Sequence, residues 1–293
     1  MISPGGSIQN SPIVWVPDKL GDAWQIKQQF GLEGIYIAGG TLLQTQWAKG
    51  TDPPSNLISL ERIKEMQGWG KELVNGETYT RIGALMTLDF CRHDPTLLKE
   101  IPLLGEAVRM IAAPAIRNKA TIGGNIAYGF GDAIPLFLAM DAILSLFDGK
   151  EIHLKSLWDY VNERESLSNS ILICVYIPDK IASAKEINFY KKVGHREALS
   201  PSVVSVSGCC QFNEKNEVEH IRLAVSGSLT PPQRLVRCEQ LIKGSPLSND
   251  LLKKLVQTIK EEFIPSTDDF SSADYKEVVA ANLIVSEIAR LAG

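Results

Sequence analysis

Two stretches of the 293-residue chain could do chemistry with their backbone: Ala38-Gly39-Gly40-Thr41, and Arg117-Asn118-Lys119-Ala120-Thr121-Ile122-Gly123-Gly124-Asn125-Ile126-Ala127. Paired glycines leave amides unobstructed, so the main chain can approach an anion closely and donate several N–H bonds to phosphate oxygens. Thr41 adds a hydroxyl and Asn125 an amide that both donates and accepts. Two such loops can grip one diphosphate from opposite sides. The plainer reading of each is a turn following a strand. Arg117 and Lys119 either draw an anion to the second loop or simply stand in solvent. Neither loop is a Walker loop, because Gly-Lys-Ser/Thr is absent, and neither carries the G-x-G-x-x-G of a Rossmann fold.

The elements that must position these loops follow from periodicity. Leu20, Ala23, Trp24 and Phe30 suit one face of a helix closing near Gly31. Ile35 to Ala38 is a short apolar run, the pattern of a buried strand emptying into the first glycine loop. Leu57 to Leu60 and Arg81 to Ala84 read as strands, and Thr87 can cap a helix beginning at Leu88. Leu103, Leu104, Ala107, Val108 and Ile111 recur at helical spacing until Ala113-Pro114 ends the pattern. Past the second loop, Pro135 to Met140 reads as an apolar helix. Ala142 to Phe147 and Ile171 to Ile177 read as strands, with a domain boundary at Pro178-Asp179-Lys180. Val203 to Phe212 and Ile221 to Val225 are β-rich. Leu251, Leu252, Leu255, Val256, Ile259 and Phe263 then make a helical stripe, as do Tyr275, Val278, Val279, Asn282, Ile288 and Ala289. Strands followed by helices indicate an α+β C-terminal domain.

Composition narrows the function. Hydrophobic residues at 44% and charged residues at 22% are ordinary for a folded soluble chain. A net charge of −4 offers no basic excess for displacing counterions from nucleic acid. Five cysteines without a C-x-x-C pair are poor material for zinc, an iron–sulfur cluster or a disulfide framework, so free thiols are expected and no metal site. No run approaches the ~18 apolar residues of a membrane span, and Met1 to Val16 lacks the pattern of a signal peptide, which points to the cytoplasm. Hard chemistry would have to come from a borrowed cofactor.

The pair A-G-G-T and R-N-x-A-T-I-G-G-N-I-A, about eighty residues apart, resembles the FAD-binding domain of the molybdenum hydroxylase flavoproteins, the medium subunits of xanthine dehydrogenases and carbon monoxide dehydrogenases. Ile82-Gly83-Ala84-Leu85-Met86-Thr87-Leu88 resembles that family's I-G-A-x-T-T-hydrophobic segment, and Asp132 with Pro135 its D-x-x-P. Phe189, Lys191, Lys192 and Arg196 fall in its F-x-K-x-x-x-R stretch. Gly227, Pro232, Arg234 and Glu239 lie in its G-x-x-x-x-P-x-R-x-x-x-x-E segment, and Ser272 to Lys276 is similar to S-A-x-Y-R. The implied fold is α+β: a two-subdomain FAD-binding domain of the vanillyl-alcohol-oxidase/PCMH type at 1–180, with subdomains of about 1–58 and 59–180, then an α+β C-terminal domain at 181–293 with a small antiparallel sheet plus helices.

The resemblance also implies a site. Ile37, Ala38, Gly39, Gly40, Thr41 and Leu42 would line the FAD diphosphate, with Thr121, Ile122, Gly123, Gly124 and Asn125 opposite. Asp132 would accept hydrogen bonds from the polar part of the cofactor, or else cap the helix before Pro135. Ile111 would lie near the isoalloxazine, and Leu172 and Lys192 would close the site; for the two apolar residues the alternative is the core. No catalytic residue is nominated. Two departures stand out: Leu42 where the family often has Asp, and Tyr128-Gly129-Phe130-Gly131 shorter than the family's loop, so that Tyr128 or Phe130 either covers the flavin or packs.

By the same resemblance the chain is an electron-transfer subunit, most closely that of a xanthine dehydrogenase. A molybdopterin subunit would oxidise the substrate, an iron–sulfur subunit with [2Fe-2S] clusters would relay electrons, and FAD on this chain would reduce NAD. Alternatives are the flavin subunit of a carbon monoxide, nicotinate or aldehyde-oxidising complex, or a flavin-free assembly subunit.

Overall fold

The structure is a computed structural model describing residues 11–163, 169–179, 185–194, 202–215 and 217–290. Arg196 and Lys180 lie outside the described residues. A small parallel sheet comes first, with strand order β1-β3-β2. Its strands are β1 (Ile13–Trp15), β2 (Gly34–Ile37) and β3 (Asn56–Ser59), joined through helices α1 (Leu20–Phe30) and α2 (Thr41–Ala48). Parallel neighbours need such crossovers, and the glycine loop at 38–40 is the turn from β2 into α2.

A five-stranded antiparallel sheet follows, in the order β4-β5-β8-β6-β7. It comprises β4 (Trp69–Val74), β5 (Glu77–Gly83), β6 (Ile143–Phe147), β7 (Ile152–Ser156) and β8 (Ile171–Pro178). Between β5 and β6 run short helices: α3 (Leu88–His93), α4 (Pro95–Glu100), α5 (Pro102–Met110), α6 (Pro114–Arg117), α7 (Ile122–Tyr128) and α8 (Ile134–Ala139), with α9 (Leu157–Asn162) after β7. Prolines open α4, α5 and α6, where a missing N–H costs nothing. Thr87 caps α3, as its spacing predicted.

The last sheet is an antiparallel meander of β9 (Lys185–Gly194), β10 (Ser202–Phe212), β11 (Val218–Gly227) and β12 (Thr230–Arg234). Helices α10 (Val236–Ile242), α11 (Asn249–Glu262) and α12 (Ala273–Ala289) complete it. Val204 and Val206 of β10 share a buried cluster with Leu255 and Ile259 of α11 and Ala280 and Ile284 of α12. Helix α8 packs on β10 and β11 and is buried at every position, so its side chains have no solvent face. The α+β architecture, with a small antiparallel sheet and helices at the C-terminal end, is thus the one the sequence implied.

The sequence motifs of this last part are structural. Glu239 is buried; it takes both Nε and Nη2 of Arg234, at 3.1 and 2.5 Å, and the Leu223 N–H at 3.0 Å. Ser272 caps α12. Lys276 is fully buried, its Nζ donating to Asp268 Oδ2 at 2.6 Å and to the Ser266 carbonyl at 2.7 Å. This pairing with Lys276, aided by Ser228, holds the Asp268 carboxyl well below the usual carboxylate range. A depressed carboxylate stabilises the fold at pH values above its unfolded pKa of about 3.9, and that contribution is lost as pH falls towards the folded value. Lys276→Met is therefore expected to cost about 3 kcal/mol in urea unfolding at neutral pH. The gap between wild type and variant should shrink at pH 3 and below, and a gap independent of pH would contradict this account.

Candidate cofactor-binding site

The two glycine loops meet. A side-chain carbon built on Gly39 would lie 1.8 Å from the carbonyl oxygen of Lys119, so only a bare α-carbon lets the first loop lie against the second. Gly40 has φ +67, a left-handed conformation that turns the chain from β2 into α2. Together they form the walls of one cleft of about 390 Å³, lined by Ile35 to Leu43 on one side and by Ala120, Thr121, Gly124, Asn125, Ala127 and Tyr128 on the other.

The two sides offer different chemistry. No side chain caps α2, so the amides of its first turn, Thr41 to Leu43, have no acceptor within the helix. In the second loop the amides are already used. Ile122 N–H donates to Met86, Gly123 N–H to Ala84, Gly124 N–H to Thr121 Oγ1 and Asn125 N–H to the Thr121 carbonyl, all between 2.8 and 3.0 Å. What this loop presents is the open face of Gly124, where an added carbon would meet only Thr121 Oγ1 at 3.0 Å, and the side chain of Asn125. The loop is also the first turn of α7, capped by Thr121 and closed by Gly129 at φ +83.

Tyr36 contributes a further polar atom among the cleft-lining residues that the sequence did not single out. Its hydroxyl is buried without a hydrogen-bond partner, and burial pushes its pKa far up, so it stays protonated and able to donate. Leu42, Leu43 and Tyr128 add apolar surface, and Tyr128 stacks edge-on against Phe130 at 5.7 Å between centroids.

Other expected residues stand outside this lining. Ile122 and Gly123 are buried behind it, and Ile111 and Leu172 belong to the packed core. Asp132 does not cap α8, whose cap position is Ala133. Its carboxylate instead takes Lys192 Nζ at 2.7 Å and Ser202 Oγ at 2.5 Å. Arg117 is neither solvated nor turned to the cleft. It is 5% exposed, and its Nη1 donates to the carbonyls of Ile111 and Ala112, bracing the turn where Ala112 has φ +53. Desolvation lowers its pKa, and Lys119 is the exposed cation of the pair. Charge and sequence proximity could not separate these fates. Among the described residues none of the five cysteines is in a disulfide, and no group of three His, Cys, Asp or Glu side chains could hold a metal.

Comparison with known proteins agrees with this geometry. Residues 7–180 match the family described as the FAD binding domain in molybdopterin dehydrogenase, and residues 188–291 match the CO dehydrogenase flavoprotein C-terminal domain. The chain is 26% identical to the carbon monoxide dehydrogenase medium chain of Hydrogenophaga pseudoflava over 278 residues, covering 92% of each. It is 24% identical to the putative xanthine dehydrogenase FAD-binding subunit of Escherichia coli (strain K12), over 88% of this chain and 89% of that one. In fold it superimposes on reconstituted CO dehydrogenase from Oligotropha carboxidovorans with a TM-score of 0.87 at 20% identity, over 98% of this chain and 99% of the other. With a bare-backbone cleft between two loops and a family match over more than half its length, the chain belongs to the FAD-binding flavoproteins of the molybdopterin dehydrogenase family.

Proposed function

We propose that FAD lies with its diphosphate in the cleft between the glycine loops, and that the chain is the electron-transfer subunit of a molybdenum hydroxylase complex. The contact between Gly39 and the Lys119 carbonyl carries this reading, because it brings two distant backbone segments to one ligand. The donor set fits an anionic dinucleotide. The open amides of Thr41 to Leu43 suit phosphate oxygens, and the bare face of Gly124 permits close approach. Ile37, Ala38, Gly39, Gly40, Thr41, Leu42, Thr121, Gly124 and Asn125 are assigned to direct contact. Ile122, Gly123, Ile111 and Leu172 are assigned to the packing behind them. Leu42, Leu43 and Tyr128 exclude water from one side, which strengthens the polar contacts inside.

Bound FAD accepts electrons singly and passes them on in pairs, which suits a post between iron–sulfur clusters and a two-electron acceptor. The chain's own work is to bind and orient it, with no acid–base residue required. For the complex we favour xanthine as substrate, [2Fe-2S] clusters and molybdopterin in partner subunits, NAD as acceptor, a cytoplasmic location, and a division of this chain near residue 180. Among the described residues no helix is long and apolar enough to cross a membrane. A carbon monoxide-oxidising complex is the second reading, favoured by the 26% identity to a medium chain of that activity.

The purified full chain is expected to be yellow, absorbing near ~450 nm, and to gain thermal stability with excess FAD. A colourless protein with no such gain would leave an assembly subunit in its place. Gly124→Val should unfold near the wild-type temperature, yet lose at least ~100-fold in FAD affinity, because the branched side chain fills the approach. Wild-type affinity in that variant would move the cofactor elsewhere. Purification of the complex from its host should give xanthine-dependent NAD reduction; turnover with carbon monoxide and none with xanthine would select the second reading.

A further inference from the structure

Helix α8 does not cover the whole of the sheet face on which it packs. It lies on β10 and β11 and stops at Ala139, and the chain then turns sharply at Asp141, where φ is +51. Asp141 is pinned there by Arg222 Nε at 2.7 Å and by Arg234 Nη1 at 3.2 Å. Cross-strand register sets Glu186, Gln211 and His220 in one row past this turn, and Asn188, Cys209 and Arg222 in the next. All six are at least partly exposed, and they share the face whose Tyr190 and Ala224 pack into the N-terminal core. The alternate residues Ile187, Cys210 and Ile221 belong to the C-terminal core on the other face.

The space left between these rows and the ends of α8 and β8 is a groove of about 700 Å³. Met140, Ile177 and Pro178 give it an apolar wall. Its charge is lopsided. Asp179 after β8, Glu186 on β9, Glu214 in the β10–β11 turn and Glu219 on β11 stand around it. Arg222 is the only Lys or Arg among the lining residues, and it is already spent on Asp141. Asp179 is answered by Lys71 at 2.5 Å, but among the described residues Glu214 and Glu219 have no side-chain hydrogen bond or ion pair. Carboxylates gathered in this way repel one another, so their proximity is a cost unless a cation arrives from elsewhere. Among the described residues no three such groups could hold one metal ion. Spread charges beside an apolar wall fit instead a chain with several separated cations, whose aliphatic stems can lie on the wall while their heads reach the carboxylates. Gln211 and His220 add groups of the kind that pair with main-chain amides.

We propose that this groove is the docking site for a basic, extended segment of a partner subunit, with Lys or Arg side chains on Glu214 and Glu219 and an apolar anchor against Met140, Ile177 and Pro178. A second copy of this chain, itself at net charge −4, is a poor match for the same surface. The groove stands at the end of the C-terminal sheet away from Asp132, whose bonds to Lys192 and Ser202 lie at the other ends of β9 and β10. The segment therefore tethers the chain to its complex without entering the glycine-loop cleft. The inference rests on the reading that the chain works as a subunit of a larger complex, and the test keeps the two failures apart.

Cys209 is a built-in reporter, because it is partly exposed in the groove while the other four cysteines are buried. Its labelling by a maleimide, read by mass spectrometry, would be followed in the isolated chain and in the complex purified from its host. Labelling is expected to be at least ~tenfold slower in the complex, since thiol reactivity follows access. A photo-cross-linker carried on Cys209 should reach a Lys- or Arg-containing segment of a partner subunit. Glu214→Lys combined with Glu219→Lys should restore labelling and weaken association with the purified partner subunits by about tenfold, with FAD affinity and unfolding temperature unchanged. Glu214→Gln combined with Glu219→Gln, which keeps the size of both side chains, should fall between wild type and the reversed pair and carries the comparison if the lysine variant fails to fold. Equal labelling of Cys209 in the isolated chain and the complex would overturn the inference. So would protection by an acidic segment, by a second copy of this chain, or by magnesium or spermidine alone. If no partner subunit accompanies the chain at all, the subunit reading falls, and this docking site with it.

Discussion

The approach of one backbone to another at Gly39 governs this molecule. Lys119 and Gly39 are far apart in sequence, and their contact is closer than any side chain would permit. Placing β2 and the second loop on either side of that point creates a cleft whose polar groups are mainly amides and whose shape is set by missing atoms. The left-handed turn at Gly40 then directs the start of α2 towards the same space. Both glycines are needed for different physical reasons, one for distance and one for torsion.

The walls of the cleft divide the labour unevenly. The α2 side has amides to give, whereas the second loop spends its amides on Met86, Ala84 and Thr121 and so builds a rigid surface. That rigidity has a cause in tertiary structure: the loop is stitched to the segment after β5, which is itself tied to β8 through the Ala84 N–H bond to Ile173. A pre-organised wall binds without a large ordering cost, since little freedom remains to be lost.

Much of this was legible in the sequence, for identifiable reasons. Apolar runs and helical stripes gave β2, β3, β8, β10, α1, α5, α11 and α12 within a few residues, and Gly-Gly marked both cleft walls. Helix α7 was hidden because two glycines depress helix propensity, and tertiary bonds plus the Thr121 cap outweigh that. Strand β12 was hidden by Pro231 and Pro232, which an edge strand tolerates. Arg117 and Asp132 were legible as charged residues near the site, but the partners of Asp132, Lys192 and Ser202, are distant in sequence, and the carbonyls of Ile111 and Ala112 that Arg117 braces are turned towards it only by the tight turn at Ala112, which residue type does not announce. Tyr36 carried no signal at all, since a tyrosine in an apolar strand is an ordinary residue until its hydroxyl is found unpartnered.

Helix α8 has a wider consequence. Its residues Ile134, Leu136, Phe137 and Leu138 are entirely enclosed, and the meander of β10 and β11 supplies part of that enclosure. Each such side chain contributes roughly 1.5–3 kcal/mol by leaving water. A chain cut after the five-stranded sheet would therefore end with an oily ridge facing solvent, prone to self-association. The N-terminal and C-terminal parts of the chain share a wall.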